Sequence, residues 1–226
     1  RTGFKVSDIS TGYVKDPAVL RALLEAGVNY IDTAESYRNE DVVGEVIKDW
    51  DRKKVFITTK LEVTKEKGMT KEKILQRTRK CLERLKTDYI DAMLMHSAEK
   101  VETLSSKGFH DAMAQLKREG KVRHVGVSNH GSAWAVDPPE PMEKVLAAAA
   151  RDGRFDVMLL TYNFIGHNKG GKVLELLKEK NIGATLMKVN PIGALPRIKD
   201  RLAKMKKDDK NIEFMKGWIK RLEDKA

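Results

Sequence analysis

Residues 28–60, VNYIDTAESYRNEDVVGEVIKDWDRKKVFITTK, hold a strand–helix–strand unit, and their reading decides the fold. Val28 to Asp32 is a short apolar run that reads as a strand. Glu40 to Asp49 reads as a helix, with Val42, Val43, Val46 and Ile47 on one side. Val55 to Lys60 reads as the next strand. Strands alternating with helices through short loops argue for a parallel sheet.

The same alternation continues in both directions. Upstream, Ser7 to Gly12 is expected to form a first strand. Asp16-Pro17 then opens a helix to Ala26, with aspartate as cap, proline in the first turn and Gly27 as the stop. Downstream, Thr70 caps a long amphipathic helix to Leu85, whose buried stripe is Ile74, Leu75, Thr78, Cys81, Leu82 and Leu85. Further strands are expected over Tyr89–Met95, Val122–Ser128, Asp156–Thr161 and Ile182–Val189. Helices are expected over Phe109–Glu119, Met142–Ala150 and Lys172–Lys180. Runs such as DAMLM and VMLL are apolar throughout, as suits strands covered on both faces. Seven strands joined by right-handed crossovers predict an α/β TIM (β/α)8 barrel in a single domain spanning residues 1–226. No GxGxxG follows the first strand, which argues against a doubly wound nucleotide fold. Residues 196–226 read as charged helix, and the eighth strand is not readable there.

Composition narrows the function classes. The 226 residues are 41% hydrophobic and 34% charged, ordinary for a globular domain. Cys81 is the single cysteine, so an internal disulfide is excluded, and no CxxC or Cys/His cluster suggests a metal. Cys81 is expected to be a packing residue. The formal charge is +11. The basic residues are mixed with acids in KDWDRKK, KEKGMTKEK and KDRLAKMKKDDK, and are not interleaved with aromatics. They read as solvated helix faces rather than a nucleic-acid or membrane surface, and a positive field favours an anionic dinucleotide. No apolar run approaches the ~20 residues of a membrane helix. The chain begins at Arg1, so an upstream leader, including a twin-arginine one, stays open. Cytoplasmic location is the expectation, and the oligomeric state is not readable.

Four residues point to chemistry: Asp32, Tyr37, Lys60 and His96. Each lies at or just beyond the end of a predicted strand, and three successive strand ends meet at one mouth of a barrel. Reducing a carbonyl needs hydride at carbon and a proton at oxygen. A tyrosine can give the proton, although its ordinary pKa is about 10. A neighbouring ammonium lowers that value, and Lys60 is expected to do so, held by Asp32. His96 is expected to hydrogen-bond the carbonyl oxygen. No side chain supplies hydride, so a cofactor is required.

The strings Asp32-Thr33-Ala34-Glu35-Ser36-Tyr37, Thr58-Thr59-Lys60, Met95-His96 and Gly126-Val127-Ser128-Asn129, in that order, resemble the aldo-keto reductase superfamily over roughly residues 1 to 190. The resemblance implies a nicotinamide cofactor, most often NADP(H), with NAD(H) left open, and a small-molecule carbonyl substrate. It makes Tyr37, Lys60, Asp32 and His96 a catalytic tetrad, with Tyr37 as general acid. It places Ser128 and Asn129 on the nicotinamide carboxamide, and Asp32 and Lys188 beside the cofactor. Leu159 stands where the family often has a glutamine, with Asn163 as a substitute. Tyr13 and Trp134 are candidate substrate-lining residues. The family's eighth strand, and the loop and helix for the adenosine phosphate, are not readable after Val189. Either natural stretches are missing around Gly12–Asp16 and after Ala194, or the protein is a shortened variant; the abrupt joins favour the former. Two alternatives remain: a non-catalytic nicotinamide-binding regulatory protein on the same fold, and an aldolase-like barrel using Lys60 as a Schiff-base nucleophile.

Overall fold

In a computed structural model describing residues 2–63, 69–131, 139–163, 167–190, 192–205 and 212–224, six strands lie side by side in chain order, and all are parallel. They are β1 (Tyr30–Asp32), β2 (Phe56–Glu62), β3 (Ile90–His96), β4 (Val122–Asn129), β5 (Val157–Thr161) and β6 (Gly183–Met187). Helix α1 (Pro17–Glu25) precedes β1. Helices α2 (Glu40–Ile47), α3 (Lys71–Leu85), α4 (Lys107–Arg118), α5 (Met142–Asp152) and α6 (His167–Glu179) connect successive strands. Helices α7 (Leu195–Ala203) and α8 (Ile212–Glu223) follow β6. The sheet curls into a half-barrel of TIM type. The phenol oxygen of Tyr30 on β1 lies 3.0 Å from Thr185 Oγ1 on β6, so the two edge strands face one another across the interior.

Strand periodicity divides the apolar residues between two layers. Ile57, Leu61, Met93, Met95, Val125, Val127, Met158 and Leu160 face the helices in the larger cluster. Tyr30, Phe56, Ala92, Leu94 and Leu159 fill the inside, joined by Phe4 and Met187. With both faces covered, all seven residues of β3 are buried, which is why its sequence runs apolar without alternation. Each fully buried leucine or isoleucine here contributes about 1.5–3 kcal/mol.

The predicted helix starts are present. Asp16 accepts the Ala18 N–H at 2.8 Å ahead of Pro17, and Thr70 accepts the Lys73 N–H at 3.3 Å. Gly44 lets α2 lie against the end of α3, where a Cβ would run into the Arg84 carbonyl. Beside it, the fully buried Glu40 accepts from Arg84 Nε at 2.8 Å and from the Thr59 hydroxyl at 2.6 Å, pinning α2 to α3 and β2.

At the N-terminal end of the sheet, Asp91 is 1% exposed and fully engaged. Its Oδ2 accepts from Arg52 Nη2 at 2.6 Å and from the Ile57 N–H at 2.9 Å, and its Oδ1 accepts from Arg123 Nη1 at 3.2 Å. Both guanidiniums lie over the Tyr89 ring, 4.0 and 3.6 Å from its centroid.

The expected first strand does not form. Over Ser7–Gly12 there is only one parallel bridge, Thr11 to Ile31, so the sheet has six strands rather than seven. Only Thr11 reaches β1, its N–H donating to the Tyr30 carbonyl at 2.9 Å and its carbonyl accepting the Asp32 N–H at 3.2 Å, while Asn29 Oδ1 accepts the Ser7 N–H at 2.7 Å and Asn29 Nδ2 donates to the Lys5 carbonyl at 3.1 Å. After β6 the described residues are helical, and no eighth strand is found among them. The outer face of β6, Ala184 and Leu186, is exposed. Among the described residues, no helix is long and apolar enough to cross a membrane.

Candidate active site

The C-terminal ends of β1, β2 and β3 bring Asp32, Tyr37, Lys60 and His96 together. Lys60 points inward from β2 and its side chain is fully buried. Its Nζ donates to Asp32 Oδ2 and to the Thr33 carbonyl, each at 2.7 Å. The same ammonium lies 4.8 Å from the centroid of the Tyr37 ring. Tyr37 meets His96 edge to face at 5.6 Å, and His96 Nδ1 lies 3.4 Å from Ser36 Oγ.

Tyr37 is carried by a single 3-10 turn, Glu35–Tyr37, directly after β1. The turn is tied down at its start. Arg77 of α3 grips the Glu35 carboxylate with Nε (3.0 Å to Oε2) and Nη2, while its Nη1 donates to the Glu62 carbonyl at the end of β2 at 2.9 Å. The turn ends on Arg38 in the left-handed region, at φ 53°. Ser97 (φ 52°) directly follows His96, and Lys188 (φ 56°) directly follows β6. Three non-glycine residues therefore hold this costly backbone shape around one mouth, a pattern associated with functional sites.

Electrostatics here are set by burial. It pushes the Asp32 carboxyl up and the Lys60 ammonium down, and their mutual contact opposes both shifts. Tyr37 is raised to about 12, first by burial and then by the Asp32 charge. This corrects the expectation that Lys60 lowers the phenol: the lysine sits over the ring, and burial together with the Asp32 charge raises the phenol. Asp32 Oδ1 and Thr11 Oγ1 are both buried without a hydrogen-bond partner among the described residues. Nor does the Tyr37 hydroxyl have one among them. Tyr30, below the site, is different: its hydroxyl contacts both Thr58 and Thr185.

Ser128 and Asn129 are fully buried at the end of β4, with side chains engaged by the backbone. Ser128 Oγ accepts the Ser97 N–H at 3.0 Å. Asn129 Nδ2 donates to the Ala98 carbonyl at 2.7 Å, and its Oδ1 accepts the Gly131 N–H at 2.7 Å. They pin the loop after β3 onto β4. Lys188 is exposed, and its carbonyl accepts from Asn163 Nδ2 at 3.1 Å, which gives Asn163 a turn-holding part. Leu159 is buried in the inner layer. Tyr13, 57% exposed, packs edge-on against Tyr37 at 5.6 Å. Trp134 lies outside the described residues. Cys81 is buried in α3, and burial pushes its thiol up. Among the described residues, no group of three or more His, Cys, Asp or Glu is placed to hold a metal ion.

Sequence reading missed three residues of this mouth. Thr11 was assigned to the unformed strand. Arg77 is one of many basic residues on α3. His130, next to Ser128-Asn129, has its ring 6.2 Å from that of His96. Continuing the alternation of β4 by one residue beyond Asn129 would have picked it out.

The chain spans about half the length of the curated relatives it matches. Methylglyoxal reductase DkgB of Salmonella typhi is 31% identical over 149 residues, which are 64% of this chain and 52% of that protein. Among solved structures, an aldo-keto reductase enzyme from a Medee basin deep-sea metagenome library matches with a TM-score of 0.62 at 26% identity, covering 87% of this chain and 72% of the other. An aldo-keto reductase of Bombyx mori, solved in complex with NADP, matches with a TM-score of 0.63 over the same shares, and at 19% identity that likeness is one of fold alone. The family model described as "Aldo/keto reductase family" matches residues 10–224, and with the parallel half-barrel this establishes that the chain belongs to the aldo/keto reductase family.

Proposed function

We propose that this protein is an NAD(P)H-dependent reductase of aldehydes or ketones, with Tyr37 giving the proton. One observation carries the reading: a phenol with no hydrogen-bond partner among the described residues stands at one mouth with a buried lysine–aspartate pair and an imidazole. The residues suit a nicotinamide dinucleotide. Asp32 Oδ1 and Thr11 Oγ1 are buried polar atoms awaiting a partner, and Asp32, Ser128, Asn129 and Lys188 are the residues that would hold it. When bound, the reduced nicotinamide supplies the hydride that no side chain can.

The protein's own part is proton delivery. With a pKa near 12, Tyr37 keeps its proton at neutral pH and is ready as an acid. As charge builds on the substrate oxygen, that oxygen becomes a stronger base than the phenolate and takes the proton. The Lys60 ammonium then faces a phenolate instead of a neutral ring and stabilises it, while Asp32 and the Thr33 carbonyl hold Lys60 in place. His96 hydrogen-bonds the same oxygen and fixes its direction.

The test is NADPH and NADH oxidation against a panel of aldehydes and ketones. Tyr37→Phe is expected to lower kcat about 100- to 10,000-fold. Turnover unchanged by that substitution would remove Tyr37 from its role. Leu159, apolar and buried in the inner layer where the resemblance has a glutamine, favours a second reading, a nicotinamide-binding regulatory protein without turnover. Calorimetric titration with NADPH separates the two: binding without oxidation by any carbonyl supports the second.

A further inference from the structure

A cavity lies at the end of the sheet away from Tyr37, where the chain enters β1 and β2. Its volume is about 510 Å³, within the range of small-molecule sites. Its apolar walls are Phe4, Leu24, Val28, Trp50 and Val55. Leu24 and Val55 are buried, whereas Phe4, Val28 and Trp50 keep part of their surface open. Phe4 is held by Phe56 at the start of β2, with ring centroids 5.4 Å apart.

The uncommitted polar groups around these walls are donors. Lys5 and Lys54 line the cavity, both exposed, and neither ammonium has an ion pair among the described residues. The Trp50 indole N–H has no hydrogen-bond partner among them either. Among the described residues no carboxylate lines the cavity. The acids on either side of Trp50 are engaged elsewhere: Asp49 pairs with Arg21 at 3.3 Å, and Asp51 accepts the Lys53 N–H at 3.1 Å. The backbones of both lysines are fixed. Asn29 Nδ2 donates to the Lys5 carbonyl at 3.1 Å. Lys54 ends the 3-10 turn Arg52–Lys54, its N–H donating to the Asp51 carbonyl at 2.9 Å.

We propose that this cavity is a binding site for a small aromatic monocarboxylate, distinct from the mouth that holds Tyr37. The ring of the ligand lies against Phe4, Trp50 and the aliphatic walls, and its carboxylate meets the two ammoniums and the indole N–H. An ionised carboxylate only accepts hydrogen bonds, so it matches a rim that only donates. A cationic ligand of the same shape meets two like charges and finds no acceptor among these side chains. Partly open aromatic rings favour a third ring, set edge-on or offset, beyond the gain from buried area. The site needs no nicotinamide and stands apart from the proposed reduction.

The test is a titration of the cofactor-free protein with 4-phenylbutyrate and, separately, 4-phenylbutylamine, followed by tryptophan emission. The acid is expected to change the emission saturably, and the amine to leave it unchanged over the same concentrations. Trp50→Phe is expected to abolish the change. Lys5→Met combined with Lys54→Met is expected to raise the Kd about tenfold, the worth of two exposed ion pairs, and arginine at both positions to restore it. Added salt should weaken binding of the acid to the unaltered protein. No saturable change with the acid, or equal binding of acid and amine, would overturn the proposal without any variant. So would a change that persists in Trp50→Phe, since the acid would then sit near another tryptophan, or a Kd indifferent to removal of both lysines.

Discussion

Two buried aspartates sit at opposite ends of the same sheet and are treated differently. At the N-terminal end both oxygens of Asp91 are engaged, by two arginines and a backbone N–H. At the C-terminal end Asp32 has Lys60 on one oxygen and no partner among the described residues on the other. A buried charge with every lone pair matched belongs to the framework. A buried charge left half matched costs free energy and is retained where a ligand or a reaction uses it. Barrel proteins of this type divide stability and chemistry between the same two ends.

The contrast can be broken at either end. Asp91→Ala would strand two guanidiniums and the Ile57 N–H, and is expected to cost about 3–5 kcal/mol in urea unfolding. A loss under about 1 kcal/mol would mean that arginine stacking on Tyr89, not the carboxylate, holds that end. At the other end, acid should tell. His130 titrates near 4 in the folded chain against an ordinary 6.5. A depressed folded value stabilises the protein above pH 6.5, and that contribution disappears as pH falls through 4. The expected loss is about 3 kcal/mol, absent from His130→Phe, read from unfolding free energies at pH 7.5 and 4.

Smaller effects sharpen the comparison. Arg77→Met frees the turn that carries Tyr37 without touching the phenol. It is expected to lower kcat about tenfold with little change in KM, and Arg77→Lys to recover part of the loss. The smallest shift in folding is expected for the double variant Asp32→Leu with Lys60→Met. Replacing both members of an under-satisfied buried pair should destabilise by no more than about 1 kcal/mol, in contrast to Asp91→Ala.

Much of this layout was legible because strands with two covered faces read as unbroken apolar runs. A polar residue at the end of such a run, such as Asp32, Lys60 or His96, stands out against it. Helix starts at Asp16 and Thr70 were legible because capping is local chemistry. Ser7–Gly12 misled because only Thr11 reaches β1, while the Ser7 N–H goes to the side chain of Asn29, more than twenty residues away in the chain. Ser128 and Asn129 show another limit of sequence: a polar side chain after a strand can face a ligand or pin the next loop, and only packing distinguishes these. The sign of the Tyr37 shift was unreadable for the same reason, since it depends on how deeply the ring is buried. Arg52, Arg77 and Arg123 look like surface charge in the sequence, yet each reaches a partner brought close only by the completed sheet.

Strand β6 has a practical consequence for handling the protein. It pairs with β5 on one side, has no ladder partner on the other among the described residues, and carries Leu186 and, just beyond, Val189 in solvent. Such a rim invites strand addition by other chains. Concentrated stocks should form assemblies by this route, faster than in proportion to concentration, so rate and titration measurements belong at high dilution, with light scattering as the control.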